Sequence, residues 1–319
     1  MNHFDGCWIG PVVDLMTTLL VQFAEEADEA NLSNPQAYQN DVLASEQSMQ
    51  EDAIGKMTGM FRILRSEKEQ ETADNRSFGK SFLVLHQIKL QFSLRNFKMC
   101  KSQFQQIDNI DKKVLDMLPK AWHVGVSYYR GRFALYENDF NFARVQLNIA
   151  YDLCNTEHTI NKQSILRFLI PVEMAIGRCP TIKLIDQYQL LEYKEMVGAC
   201  LQGDMKALEA AIERNMDIYI QSGVFTVLER IKMVTLRNFI KRIYTAVVTD
   251  TSLQHTEGKP NNIHLDLIHK PLLDWDSNLE LDELEFLLAN LVESKLLAGY
   301  ISHSHQLLVL GKTPFPELS

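Results

Sequence analysis

The chain has 319 residues and a mass of 36.7 kDa, too long for one comfortable hydrophobic core and about the size of two modules. With 14 glycines and 9 prolines it has too few turn residues for a sandwich or barrel, and 46% hydrophobic with 23% charged residues excludes disorder and fibre. The net charge of −9 is banded: −8 over 1–80, +6 over 81–135, −4 over 136–227, +4 over 228–249 and −7 over 250–319, so the acidic total hides two basic zones and leaves a nucleic-acid role open.

The apolar stretch Pro11–Phe23 is broken by Asp14, two threonines and Gln22, and no Lys or Arg precedes Lys56. It reads as a buried helix and not as a signal peptide or a membrane span. The polar run Ser66–Ser77 is a break. From Phe82 the apolar residues recur at helical spacing, as in Phe82, Leu85, Ile88 and Phe92, so the protein is mainly α. Cys7, Cys100, Cys154, Cys179 and Cys200 are odd in number and never form a C-x-x-C pair, the pattern of buried thiols in a reduced, intracellular protein.

Gly131, Ala134, Ala143, Leu147 and Ala150 occupy the offsets that tetratricopeptide-like hairpins reserve for close helix contact, with Asn138-Asp139 as the turn. A second hairpin places Tyr193, Met196 and Cys200 on one helix, Gly203-Asp204 at the turn, and Leu208, Ala211 and Ile212 on the next. Such hairpins bury their faces only by stacking, and the stack presents surface to partners.

Thr249–Asn262, with Gly258 and Pro260, is a loop. Beyond it the pattern predicts a short helix over Ile263–Leu273, an extended piece over Asn278–Leu281 and a helix over Asp282–Lys295. Asp282 is read as its N-cap, Glu285 as the reciprocal residue, and Leu281 with Phe286 as the hydrophobic staple. Gly299–His303 and Gln306–Leu310 are two strands around a polar turn. This is the order of a winged helix. The domains expected are an acidic helical segment over 1–77, helical repeats over 78–222 and a winged-helix module over 223–319.

Within a helix over Leu228–Val248, Arg237 and Lys241 each fall within about 20° of Arg230, flanked by Lys232 and Arg242, while Leu228, Phe239 and Ile243 point the other way. The stripe either contacts phosphate, in a salt-sensitive and sequence-independent way, or is a solvated face or a partner for the acidic module at 250–319. Arg130 and Arg132 belong to the other basic zone, and Arg132 is equally a partner for Glu137 or Asp139. The third helix of the winged module, with Asp282, Glu283, Glu285 and Glu293 against Lys295, would be repelled by DNA phosphates. The module is therefore expected to meet protein, with Glu283, Asn290, Glu293, Tyr300 and His303 as candidate interface residues.

Signals for catalysis fail. Gly311-Lys312-Thr313 has Gln306 where a P-loop needs its first glycine, and Ser127 has Tyr129 where a nucleophile elbow needs its second. His303 and His305 lack a third ligand nearby, and His264 and His269 do not share a helical face. No enzyme activity, cofactor or metal is expected.

The helical stack ending in Ser222–Tyr244 and joined to a winged helix resembles PCI-domain proteins. Tyr128-Tyr129-x-Gly131-Arg132, Phe168–Val172, Leu288–Leu291, Gly299–His303 and Pro314-Phe315-Pro316 are similar to the PCI domain-containing protein 2 (Thp) class, with a relation to the signalosome-type CSN12-like proteins. Against the family pattern the chain starts part-way into the N-terminal helical region, and its Thr251–Asn262 loop is longer. The resemblance implies stacked tetratricopeptide-like hairpins followed by a winged helix, in a non-catalytic subunit of a nuclear, transcription-coupled messenger-RNA export complex. It also implies a Sac/GANP-type scaffold and a small acidic Sem/Dss-type protein as partners, RNA or DNA bound by the assembled complex, and no membrane. The location implied is the nucleus, at pores, with a cytoplasmic pool; the chain has only the basic dyads Lys112-Lys113 and Lys241-Arg242, so import is expected to depend on a partner. The alternative is an architectural PCI subunit of a signalosome, proteasome-lid or initiation-factor assembly that touches no nucleic acid.

Overall fold

A computed structural model describes residues 9–33, 48–65, 73–249 and 261–317. The described residues form fifteen α-helices and one three-stranded sheet, gathered into two compact units, one running to Phe133 with Asp152–Cys154 and the other made of Ala134–Tyr151 and the chain from Asn155 onward. The mainly helical architecture with a C-terminal winged helix is the one the periodicity predicts.

The first unit begins with α1 (Ile9–Ser33), α2 (Met49–Arg65) and α3 (Ala73–Ser93), each packed on the other two. Helix α3 starts at Ala73, so the predicted break at Ser66–Ser77 is shorter than expected, and its first part lies outside the described residues. Val21 and Ala24 of α1, Ala53 and Met57 of α2, and Leu83 and Leu90 of α3 share one core cluster. Asp28 on α1 caps α2: its carboxylate accepts from the Ser48 hydroxyl and from the backbone N–H groups of Met49 and Gln50, at 2.8 and 3.2 Å for the last two, which satisfies helix-start donors that would otherwise lack a partner. Pro11–Phe23 forms a helix as expected, but only one face is buried; Val12, Leu15, Met16, Leu19 and Phe23 are exposed. The apolar richness of the stretch conceals this, because a helix in a three-helix bundle has two neighbours and so only part of its circumference is covered.

On the other side of α3, Phe78, Phe82, Ile88 and Phe92 pack with Phe104 of α4 (Cys100–Asp108), Val114 of α5 (Lys112–Met117), and Trp122 and Val126 of α6 (Lys120–Tyr136). Trp122 donates its indole N–H to the Ser81 carbonyl at 2.9 Å in the buried core. Cys100, Cys154 and Cys200 are buried and Cys179 is half-buried, none of them in a disulfide.

In the second unit, Asn138 adopts a left-handed φ of 60°, and Asp139 accepts from the Phe142 N–H at 3.0 Å, so Asn138-Asp139 forms the predicted turn into α7 (Phe140–Leu153). Ala134, Ala143, Leu147 and Ala150 are buried at the expected offsets. After α8 (Thr159–Ala175) and α9 (Ile182–Gln187), the second predicted hairpin is α10 (Lys194–Gln202) and α11 (Met205–Arg214). Gly203 ends α10 with φ 68°, Asp204 caps α11 by accepting from the Ala207 N–H at 2.9 Å, and Met196, Cys200, Leu208, Ala211 and Ile212 are buried. A Cβ on Gly203 would lie 2.5 Å from the backbone nitrogen of Phe239, so this turn needs glycine for contact as well as for its dihedral angle.

Helix α12 (Met216–Ser222) leads into the long helix α13 (Phe225–Thr249). Most of Thr249–Asn262, predicted as a loop, lies outside the described residues. The chain continues as β1 (Asn262–His264), α14 (Leu265–Leu272), α15 (Leu281–Glu293), β2 (Gly299–Ser302) and β3 (Leu307–Leu310). Preceded by α13, this is the winged-helix order. The wing departs from the two-stranded expectation: β3 is central and pairs antiparallel with both neighbours, Ile263 opposite Leu308 on one side and Ile301 opposite Leu308 on the other. The first residues of the predicted Ile263–Leu273 helix are thus strand, and His264 caps α14 by accepting from the Asp266 N–H at 3.2 Å.

The capping of α15 also departs from expectation. Glu280 is the N-cap, in extended backbone, and the Glu283 carboxylate accepts its N–H at 3.1 Å. Leu279 and Leu284, both buried, take the staple positions expected of Leu281 and Phe286, while Phe286 is 67% exposed. The register moved by two residues because burying the leucines of α15 outweighs the preference for aspartate at a cap, worth about 1 kcal/mol.

Candidate nucleic-acid and partner interfaces

Helix α13 is both the last helix of the stack and the first of the winged module. Its buried residues Leu228, Ile231, Val234, Leu236 and Ile240 lie on several sides of the helix, at about 100° per residue, because α8, α10, α11 and α14 all pack against it. A helix enclosed in this way has little outward face for a basic stripe.

Arg237 is accordingly not a surface cation. It is 8% exposed; its Nε donates to the Leu296 carbonyl at 2.9 Å and its Nη2 to the Pro316 carbonyl at 2.8 Å, with the guanidinium 5.7 Å from the Phe315 ring centre. Burial lowers its pKa. The spacing that aligned Arg237 with Arg230 and Lys241 is real, but the winged module lies over it, so its assignment as a phosphate contact is corrected to a structural pin. The Pro314-Phe315-Pro316 ending is the segment it holds, helped by Tyr244, whose ring centre is 5.7 Å from that of Phe315.

The other basic candidates are dispersed. Lys232 is engaged by Glu229 at 3.4 Å and Glu209 at 3.6 Å. Arg230 is half-buried, with Nε lacking a hydrogen-bond partner among the described residues and with a pKa lowered by burial. Arg242 is exposed and donates to the Gln202 carbonyl at the end of α10. Lys241 is exposed. In the first unit, Arg130 pairs with Asp108 and lies 5.6 Å from the Phe104 ring centre, and Arg132 sits 4.8 Å from that of Phe92 and 5.4 Å from that of Tyr128.

The candidate partner residues gather on α15 and the wing. Within α15 there are four carboxylates, Asp282, Glu283, Glu285 and Glu293, and no base, since Lys295 falls beyond the helix end. Glu283 serves the cap already described, and Glu293 is exposed at the other end. His303, on the turn between β2 and β3, contacts the Glu285 carboxylate at 2.9 Å; the hydrogen bond and the charge of Glu285 raise its pKa. Tyr300, 63% exposed, stands on the edge strand β2. Phe286, expected as a staple residue, is an exposed apolar side chain, because the shifted cap hands the staple position to Leu284. Asn290 faces a cleft of about 490 Å³ with Met233, Trp275 and Leu287, whose rim is braced by the Trp275 indole donating to Glu209.

His269 donates to the Leu279 carbonyl at 2.7 Å, and His305 contacts Ser304 at 2.9 Å. The histidines considered as ligands thus have protein partners, and no group of three or more His, Cys, Asp or Glu that could hold a metal occurs among the described residues. No described helix is long and apolar enough to cross a membrane.

Helical hairpins running into a winged helix that shares its first helix with the stack define the PCI class of protein. No family model matches the chain. PCI domain-containing protein 2 of Xenopus laevis is 30% identical over 319 residues, covering 99% of this chain and 75% of that protein. The Danio rerio protein of the same name is 30% identical over 318 residues, with the same coverage. The chain belongs to the PCI domain-containing protein 2 family. The Protein CSN12 homolog of Mycosarcoma maydis is also similar, at 26% identity over 327 residues, covering 98% of this chain and 71% of that protein.

Proposed function

We propose that the chain is a non-catalytic scaffold subunit of a nuclear, transcription-coupled messenger-RNA export complex. Family membership carries this reading, and the winged module supports it with an acidic α15 and an exposed Phe286 and Tyr300, an arrangement suited to protein contact. The partners proposed are a Sac/GANP-type scaffold and a small acidic Sem/Dss-type protein, with RNA or DNA bound sequence-independently by the assembled complex. Lys241 and Arg242, on the exposed end of α13, are the phosphate contacts proposed, with Arg230 secondary.

Co-expression of the full chain with both partners, followed by gel filtration and RNA binding at graded salt, tests this reading. A stoichiometric complex is expected, and Lys241→Glu with Arg242→Glu should weaken RNA binding and flatten its salt dependence. Failure to co-elute would sink the assembly, and unchanged RNA binding would remove α13 from the contact. The similarity to the CSN12 homolog favours a second reading, an architectural subunit of a signalosome-type assembly without nucleic-acid contact. Affinity purification from cells separates the two by which subunits accompany the chain.

A further inference from the structure

Helix α1 carries an apolar face that the fold leaves uncovered. At about 100° per residue, Val12, Leu15, Met16, Leu19 and Phe23 fall within an arc of about 100°, and all are exposed, Leu15 at 60% and Phe23 at 65%. The opposite face, with Thr17, Val21 and Ala24, is buried against α2 and α3. Scattered exposed leucines need no explanation, but a continuous ridge of five large apolar side chains over three turns does. The start of α2, in the same bundle, is exposed through Glu51, Asp52 and Lys56, with a Lys56–Asp52 ion pair at 2.7 Å, as a solvated face should be.

The ridge ends in charge of one sign. Further along the helix, Glu26 continues the same arc and Glu29 flanks it by about 40°; both are exposed and lie towards the negative pole of the helix. No Lys or Arg occurs anywhere in α1. Nucleic acid and anionic membrane are therefore poor occupants, being repelled at that end. A second copy is poor as well, because α1 offers no cation: parallel pairing sets carboxylate against carboxylate, and antiparallel pairing sets carboxylate against Val12 and Leu15.

We propose that the outer face of α1 docks an amphipathic helix of a partner protein, with an apolar stripe at matching spacing and Lys or Arg on the turn that meets Glu26 and Glu29. The apolar ridge supplies burial, and the carboxylates fix direction and select against acidic helices. Helix α1 belongs to the first unit and α15 and the wing to the second, so its failure leaves the reading of those elements standing.

Selection of a library of displayed 20-residue peptides on the intact chain tests the proposal. Enriched peptides should carry apolar residues at i, i+3 or i+4, i+7 and i+11, with Lys or Arg towards one end. A selected peptide should lose about tenfold or more in affinity for the Leu15→Asp, Leu19→Asp double variant, with the unfolding midpoint of that variant unchanged. Glu26→Lys with Glu29→Lys should weaken the same peptide, and exchanging the peptide's lysines for glutamates should restore binding. Enrichment equal to that on the Leu15→Asp, Leu19→Asp chain, enrichment of acidic peptides, or affinity indifferent to the charge reversal would overturn it. Concentration-dependent dimerisation abolished by the same leucine substitutions would overturn it too, in favour of a second copy.

Discussion

The guanidinium of Arg237 donates to the carbonyl oxygen of Leu296 at 2.9 Å, and these residues are 59 positions apart. A second donation, to Pro316 at 2.8 Å, ties the end of the chain to the same side chain. One arginine thus joins the helical stack to the winged module. Replacing it by Met leaves two carbonyls without their donor, and hydrogen bonds to charged groups are worth about 1.5–3 kcal/mol each. Arg237→Met should lower unfolding free energy by about 3 kcal/mol in urea titration, whereas Lys241→Met should change it by less than about 0.5 kcal/mol. Equal effects would contradict the division between pin and surface cation.

Gly203 and Gly223 both have positive φ, 68° and 78°, but a Cβ on Gly203 meets the Phe239 backbone whereas one on Gly223 has nothing within 4 Å. Gly223→Ala should cost about 1 kcal/mol, the left-handed penalty alone. Gly203→Ala should cost about 3 kcal/mol or more, since α10–α11 must move away from α13. Thermal unfolding of the two variants measures the difference, which a flexible turn at Gly203 would erase.

Burial raises the pKa of Asp28, but the hydrogen bonds from Ser48, Met49 and Gln50 outweigh it, and the net shift is downward from 3.8. A lowered folded-state pKa gives stability that is present above the ordinary aspartate value and lost as pH falls through the folded one. Asp28→Asn should cost about 1 kcal/mol at neutral pH. The urea midpoints of the two proteins should converge on acidification below that ordinary value, and parallel curves would exclude the cap.

The shift of His303 runs the other way. Glu285, by hydrogen bond and by charge, raises its pKa above the ordinary 6.5, so the tether between wing and α15 is complete below 6.5 and is lost as pH rises through the raised value. Proton NMR of the His303 ring should show a midpoint above 6.5 that falls when Glu285 is replaced by Gln. No change on that substitution would dissociate the two groups.

The hairpins were legible because close helix contact demands small residues at local, periodic offsets: Ala143, Leu147 and Ala150 announce α7, and Gly203-Asp204 the turn after Cys200. The third strand of the wing was not, because Ile263 and His264 become strand only when β3, more than 40 residues later, supplies hydrogen-bond partners. The cap of α15 was misread because local preference favours Asp282, whereas the leucines facing the core decide where the helix begins.

What the sequence alone determined is what short-range periodicity and composition encode: a helical stack, a terminal winged module, banded charge and the family. Which face of each helix is covered was decided only in the tertiary structure. Arg237 and Leu15 are the two cases, an arginine enclosed by a module that packs over α13 and a leucine left exposed on α1, because burial depends on neighbours distant in the chain while amphipathic spacing records only that a helix has two sides.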